Sequence, residues 1–181
     1  MLRSEREPGL APASSWRDRL VGDKTALPPR AATGQILLAG SGGFVMMLVL
    51  AGLAESLGLA LVLGSFGASC VLVFGFPDAP FSQPRNIVVG HFLSSLIGLV
   101  CLMLFGPQVW SLGLAVGLAI ALMMLTRTVH PPAGSNPVIV FLMLPGWEFL
   151  LLPTLAGAVL IVAVALVYNS LCRGLNYPKY W

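Results

Sequence analysis

The first candidate for chemistry is His91, a histidine inside a long apolar stretch. Ser94 and Ser95 follow three and four residues later, so a helix places all three side chains on one face. An ionisable group within an apolar span is a functional hypothesis by default, because its charged form is costly there. The pattern predicts either a site for a polar solute or a proton, or a neutral histidine that hydrogen-bonds a neighbouring helix.

Arg85 and Asn86 lie just before this stretch, directly after Pro84. Proline favours the first position of a helix, so both residues fall in a first turn, where backbone N–H groups lack partners. A cation beside free N–H groups would attract an anion. The alternative is that Arg85 anchors the helix by reaching lipid phosphates.

The second histidine, His130, opens a run that holds three prolines between residues 131 and 137. Proline removes a donor and blocks the helix, and the freed backbone groups are tolerated at membrane depth only in protein or beside water. We expect Ser135 and Asn136 to begin a half-helix whose amides face a small anion. The alternative is a plain proline kink between packed helices.

A third stretch, residues 64–69, consists mostly of small residues that can offer donors to the same site. Together the three stretches predict one site, lined by Ser65, Gly67, Ser69, Arg85, Asn86, His91, His130, Ser135 and Asn136.

Other kinds of site find little support in the sequence. The carboxylates beyond the leader, Glu55, Asp78 and Glu148, lie near predicted turns, which argues against a cation site built from several carboxylates. Two histidines without a matching set of ligands do not make a zinc site, and no phosphate-binding loop or nucleophile elbow occurs. The sequence therefore predicts no enzyme, no cofactor and no metal.

The composition indicates what surrounds this site. The chain has 181 residues, of which 57% are hydrophobic and 9% charged, against about 25% charged in a soluble domain. Ten of the charges lie in the first 30 residues. This excludes a soluble enzyme or a nucleic-acid-binding domain and makes the lipid bilayer the expected partner. We predict a flexible cytoplasmic leader over residues 1–33 and a transmembrane domain over residues 34–181.

The three cysteines, Cys70, Cys101 and Cys172, are predicted to be small buried hydrophobes.

The fold class predicted is an all-α membrane protein with about six transmembrane segments. They are residues 34–54, 57–76, 86–106, 109–126, 130–144 and 149–170. With the leader in the cytoplasm, six crossings place Arg85, Arg127, Arg173 and Lys179 on the cytoplasmic side, together with both termini. A re-entrant fifth segment would send Arg173 and Lys179 outside, so six crossings of the inner (plasma) membrane fit better.

Residues 67–74 resemble residues 134–141 at a constant offset of 67. With three segments in each half, this predicts a 3+3 inverted repeat whose second and fifth segments are interrupted, unless the likeness arose by chance. Small residues at four-residue spacing predict helix packing and leave a homo-oligomer open. They are Gly64 and Ala68, then Gly90, Ser94 and Gly98, then Gly113 and Gly117.

Several motifs in order resemble the HPP family of integral membrane proteins. They are residues 64–69, residues 83–86 with Gly90 and His91, the run His130-Pro131-Pro132-Ala133-Gly134, and the ending over residues 168–181. The family takes its name from the His-Pro-Pro motif, and its plant and cyanobacterial members are associated with nitrite transport. The resemblance implies a transporter or channel for nitrite or a similar small inorganic anion. The alternatives are a non-transporting membrane scaffold or assembly protein and, with less support, a membrane enzyme acting through His130.

Overall fold

The computed structural model describes Trp16, Leu20 and residues 26–181. This described part is helical and contains no β-strand. Its six α-helices are α1 (Thr33–Leu57), α2 (Gly64–Gly75), α3 (Pro84–Phe105), α4 (Val109–Leu125), α5 (Asn136–Met143) and α6 (Ala156–Val167). Short 3-10 turns span Pro80–Ser82, Pro131–Ser135 and Trp147–Leu150, and π-helical turns flank α6 over Leu151–Leu155 and Tyr168–Cys172. Most of the predicted leader lies outside the described residues.

Three helical stretches in the described residues are long and apolar enough to cross a membrane: Thr33–Leu57, Pro84–Phe105 and Trp147–Cys172. The second and fifth predicted segments are interrupted, because helix begins only at Gly64 in one and at Asn136 in the other. With eight residues, α5 is about 12 Å long, well short of a bilayer core of about 30 Å. The number of crossings, the repeat and the cytoplasmic side of the termini stay predictions.

Several helix starts and helix ends lie together at one end of the bundle. Tyr168, just after α6, donates a hydrogen bond to the Leu38 carbonyl in α1 at 2.9 Å. Arg85 at the start of α3 donates to the Thr126 carbonyl at the end of α4 at 3.1 Å. Arg173, after α6, donates to the Phe74 carbonyl near the end of α2 at 2.6 Å, and a short connection leads from there to α3. The start of α1, the start of α3, the end of α4 and the end of α6 therefore lie at the same end.

A buried polar group at this end ties the C-terminal residues to the connection between α2 and α3. Gln83 donates through Nε2 to the carbonyls of Pro77 at 2.9 Å and Ala79 at 3.0 Å, and its Oε1 accepts from the Lys179 N–H at 2.7 Å. The Tyr177 hydroxyl donates to the Ser82 carbonyl at 2.8 Å. Burial raises the pKa of this phenol, so it remains a neutral donor. We call Ser82, Gln83 and Tyr177 the end cluster.

The small residues of α3 form a packing face, as the spacing predicts. A Cβ on Gly90 would lie 2.9 Å from Cβ of His130, and one on Gly98 would lie 3.0 Å from Cα of Pro137. Ser94 donates a 2.6 Å hydrogen bond to a backbone carbonyl of the same neighbouring segment. This close approach lets the proline-rich segment lie directly on α3.

The other small-residue pairs do not pack in this way. A Cβ on Gly64, Gly113 or Gly117 would meet nothing within 4 Å in the described part of the chain, and Ala68 is exposed. Gly113 and Gly117 face outward because Ser111, Ala115 and Ala119, each two positions away along α4, take the buried face. These pairs therefore do not pack against another helix within the described part of the chain, and their part in helix packing between subunits of a homo-oligomer stays a prediction.

The hydrophobic core lies between α1, α2, α3 and α6. Its fully buried side chains include Met46, Leu50, Phe66, Val73, Ile87 and Ile161. Cys70 and Cys101 are buried as predicted, but Cys172 is exposed in the turn after α6, so the prediction is wrong for that residue.

Candidate functional site

Two histidine side chains meet at one serine hydroxyl in the interior of the bundle. Ser69 Oγ lies 3.0 Å from Nε2 of His91 and 2.8 Å from Nε2 of His130. The ring centroids of the two histidines are 5.0 Å apart, and all three side chains are fully buried. Tertiary structure thus joins a residue of α2, one of α3 and one of the segment before α5.

The outer partners of the two rings assign their tautomers. Nδ1 of His130 lies 2.6 Å from the Phe81 carbonyl, which can only accept, so this nitrogen carries a proton. Nδ1 of His91 lies 3.1 Å from Nδ2 of Asn136, which can only donate, so this nitrogen accepts and Nε2 carries the proton. His91 then donates to Ser69, and Ser69 donates to His130 at the shorter distance, with the Ser65 carbonyl at 3.1 Å as a second acceptor for the same proton. Two neutral imidazoles satisfy this chain of hydrogen bonds.

The same chain continues on the other side of His91. Nδ2 of Asn136 also donates to Ser95 Oγ at 2.8 Å, and Ser95 Oγ lies 3.0 Å from Thr154 Oγ1. Each of these side chains is buried. We call the whole set the central cluster; its members are Ser69, His91, Ser95, His130, Asn136 and Thr154.

His91 lies between the first turns of two short helices. The Phe66 ring, in the first turn of α2, contacts the His91 ring edge-on with centroids 5.1 Å apart, and Asn136 begins α5. Helix α2 ends near the start of α3, whereas Pro137 of α5 packs beside Gly98, further along α3 than His91. The two helices therefore run in opposite directions away from His91. Their N-terminal ends, which carry partial positive charge, face this histidine from two sides.

Two buried polar atoms at these helix starts have no hydrogen-bond partner in the described part of the chain. They are Oγ of Ser65, in the first turn of α2, and Oδ1 of Asn136, in the first turn of α5. Buried polar atoms in proteins are almost always hydrogen-bonded, so each of these two atoms indicates a position for a bound solute or water.

Comparison with known proteins agrees with a membrane-embedded fold. The family model described as the HPP transmembrane region matches residues 28–178. The chain belongs to the HPP family. It is a multi-pass membrane protein.

Two relatives of the HPP chain come from Dictyostelium discoideum, and each is named a transmembrane protein. One is 37% identical over 131 residues, which is 68% of this chain and 46% of the relative. The other is 37% identical over 128 residues, or 66% of this chain and 41% of the relative. The matched region thus spans less than half of either relative. No solved structure matches the chain.

Four of the predicted site residues of the HPP chain come together in the central cluster, namely Ser69, His91, His130 and Asn136. Ser65 is buried in the first turn of α2 with its hydroxyl unpartnered. Asn86 is not a member of the cluster but contacts the residue next to one. Its Nδ2 donates to the carbonyl of Val129, which precedes His130, at 2.9 Å. Asn86 therefore holds the backbone just before His130.

Arg85 does not reach the central cluster. Its side chain is exposed, and Nη2 donates to the Thr126 carbonyl at the end of the bundle. It precedes His91 by six residues, about 9 Å along the helix, and its guanidinium turns toward the helix end, where it avoids the cost of burying a charge. Arg85 is therefore not a member of the central cluster, and its contact with an anion stays a prediction.

Gly67 and Ser135 also lie outside the cluster. Gly67 is exposed and lines a groove of about 400 Å³ between α1 and α2, on the side of α2 away from His91. The Ser135 hydroxyl is exposed and donates to the Pro132 carbonyl at 2.8 Å, which closes the turn before α5. Both residues lie outside the cluster because a short helix offers only one face to the interior, and that face belongs to Ser69 and Asn136, so their role in an anion site stays a prediction.

Two cluster members were absent from the predicted set. Ser95 had a signal, since it shares a helical face with His91. Thr154 had a weaker signal, as an isolated polar residue beside a proline in an apolar segment. In the part of the chain that the structure describes, no three His, Cys, Asp or Glu side chains come together in a way that could hold a metal ion.

Proposed function

We propose that this HPP protein is a transporter or channel for a small monovalent anion and catalyses no reaction. The observation that carries the proposal is the position of His91 between the first turns of α2 and α5, beside two buried polar atoms without partners. Interrupted helices whose N-terminal ends face one site are a recurring way to bind an anionic group inside a membrane protein.

The donors at this site could replace the hydration shell of a small anion. The Ser65 hydroxyl is buried and has no partner among the described residues, so it can donate to an anion. The backbone contributes less, because the Phe66 N–H is bonded to the Leu63 carbonyl, the Asn136 N–H to the Ala133 carbonyl, and Pro137 has no N–H. The HPP resemblance adds nitrite as the proposed substrate. We place the protein in the inner (plasma) membrane as part of the same proposal.

In this proposal Arg85 does not contact the bound anion and acts instead as a surface charge. It is exposed at the end of the bundle where Lys179 is also found, bound to Asp78 at 2.9 Å. A surface cation there raises the local anion concentration through its field, an effect that salt screens.

Flux measurements on the purified full-length chain in vesicles test the proposal. We expect uptake of nitrite above that of protein-free vesicles, with nitrate, formate and chloride compared in the same assay. In Ser69→Ala, which removes the hydroxyl between the two histidines, uptake should fall about 10- to 100-fold, the cost of leaving buried polar partners unpaired.

Ser135→Ala is the matched control, because it removes a serine hydroxyl of the neighbouring turn that is exposed and outside the cluster. Uptake in this variant should stay near the wild-type value. If no anion enters faster than in protein-free vesicles while the protein is folded, transport is excluded and the scaffold alternative stands.

A further inference from the structure

The nitrogen and the oxygen of the Asn136 side-chain amide differ in their hydrogen bonding. Its Nδ2 lies 3.1 Å from Nδ1 of His91, 3.3 Å from the His91 carbonyl and 2.8 Å from Ser95 Oγ, whereas its Oδ1 has no partner in the described residues. This orientation suits a His91 whose Nδ1 carries no proton, because an NH2 group must face an acceptor.

A proton on Nδ1 of His91 reverses this preference. The nitrogen would then donate, and it would face the hydrogens of Nδ2 in Asn136. A half-turn of the amide exchanges its oxygen and nitrogen, so that Oδ1 accepts from His91 and from the Ser95 hydroxyl. Nδ2 then occupies the position that the unpartnered Oδ1 held. The rotation gives up the 3.3 Å contact between Nδ2 and the His91 carbonyl, and it replaces an unpartnered acceptor with an unpartnered donor.

The partial positive charge at the starts of α2 and α5 opposes a proton on His91 alone, and a bound anion offsets it. Few other groups around His91 oppose this change. Among the described residues, His130 is the titratable side chain that faces it, with ring centroids 5.0 Å apart. The side chains that α2, α5 and the Leu151–Leu155 turn contribute to the cluster are uncharged; they are Phe66, Ser69, Asn136 and Thr154. Arg85, the cation on the same helix, points to the end of the bundle.

We propose that the HPP protein binds a proton and a small anion together, the proton on Nδ1 of His91 and the anion at Nδ2 of the rotated Asn136 amide. This rests on the proposed function and deepens it. The imidazolium and the anion form a neutral pair, which costs less to hold in an apolar interior than either charge alone. Release of the anion returns the proton to solution from the same nitrogen, and the amide turns back.

Proton movement measured together with anion uptake tests the inference. The full-length chain in vesicles, with the membrane potential clamped at zero, is given an inward gradient of nitrite, and nitrate serves as a second probe. Protein-free vesicles measure the leak of the free acid. We expect internal acidification that accompanies uptake at one proton per anion. Uptake should rise as the external pH falls, by up to about tenfold per pH unit, the limit for a single protonation.

The outcomes separate the two proposals. Anion uptake without proton movement and with the same rate across pH overturns proton coupling and leaves the proposed function intact. Absence of uptake above protein-free vesicles overturns both. The wild-type chain alone therefore decides the question, even if a variant does not fold.

Two variants locate the proton. His91→Gln keeps a side chain that can hydrogen-bond but cannot take a proton at this pH, so remaining uptake should lose its pH dependence. Asn136→Leu removes the amide and should abolish the same dependence. Asn169→Leu is the control, because Asn169 is a buried asparagine whose Nδ2 binds the Val73 carbonyl away from His91. A pH response that survives in both His91→Gln and Asn136→Leu overturns the assignment.

Discussion

The central cluster and the end cluster are both buried polar groups in an apolar bundle, but they are bonded differently. In the end cluster, Gln83 bonds three backbone groups and the Tyr177 hydroxyl bonds a fourth. In the central cluster, side chains bond mainly side chains, and Oδ1 of Asn136 lacks a partner in the described part of the chain.

This difference distinguishes a buried polar group that holds the fold together from one whose hydrogen bonds can change. Backbone groups cannot change their protonation or exchange donor for acceptor, so the end cluster has one arrangement and holds two segments of chain together. Imidazoles, hydroxyls and an amide can each reverse the direction of a hydrogen bond. The groups of the central cluster therefore permit more than one arrangement of hydrogen bonds, which the proposed binding and release of an anion require.

The largest effect on stability should come from Gln83→Ala. The change leaves two carbonyls and one N–H of the end cluster without their partner, and each buried unpaired group costs about 1–3 kcal/mol. We expect a loss of about 3–6 kcal/mol in the free energy of unfolding, measured by thermal or denaturant unfolding in detergent. Gln35→Ala, at an exposed glutamine of α1, should change stability little. Equal losses in the two variants would contradict a structural role for the end cluster.

Gly90→Ala should have the next largest effect and should act on the central cluster. The new Cβ would lie 2.9 Å from Cβ of His130 and 3.0 Å from the Thr128 carbonyl, so it pushes His130 away from Ser69. We expect a loss of about 1–3 kcal/mol in stability and a fall in anion uptake.

Gly113→Ala is the matched control for Gly90→Ala, because its Cβ would meet nothing within 4 Å in the described residues. Alanine favours the helix, so this variant should gain up to about 1 kcal/mol and keep its uptake. If both variants transport equally well, the contact between α3 and His130 does not matter for the site.

Tyr177→Phe should have a smaller effect, confined to stability. It removes one hydrogen bond of the end cluster, that to the Ser82 carbonyl, and we expect a loss of about 1–2 kcal/mol with uptake unchanged. Unfolding and flux measured on the same preparation check this. Tyr180→Phe, at a tyrosine that is 42% exposed, should cost less. Loss of uptake in Tyr177→Phe without loss of stability would assign the end cluster a part in transport.

The smallest effect should be that of Arg85→Gln, since its side chain is exposed and outside the central cluster. We expect uptake to fall about two- to threefold at low salt and to approach the wild-type rate at high salt, where surface charges are screened. Flux measured at two ionic strengths checks this. A salt-independent loss as large as that of Ser69→Ala would place Arg85 in the binding site after all.

Much of the candidate site was readable from residue types. His91 and His130 stood out because ionisable groups are costly in apolar segments, and Asn136 and Ser69 fell in stretches marked by prolines or small residues. The packing face of α3 followed from a four-residue spacing that only close helix contact explains. Thr154 was missed because a single threonine in an apolar segment is compatible with many neighbours.

By itself, the sequence determined that this is a helical HPP membrane protein whose second and fifth segments are interrupted. It also identified the polar side chains whose burial in an apolar segment costs free energy. Those properties depend on local chemistry: apolar length, proline and glycine positions, and the cost of burying polar atoms. Only the tertiary structure decided that Ser69 lies between the two histidines while Arg85, Gly67 and Ser135 face elsewhere. The physical reason is that the rotation of each helix about its axis is set by contacts with distant segments. Because successive residues of an α-helix are rotated by about 100° about its axis, one side chain lies in the site while the next lies on the surface.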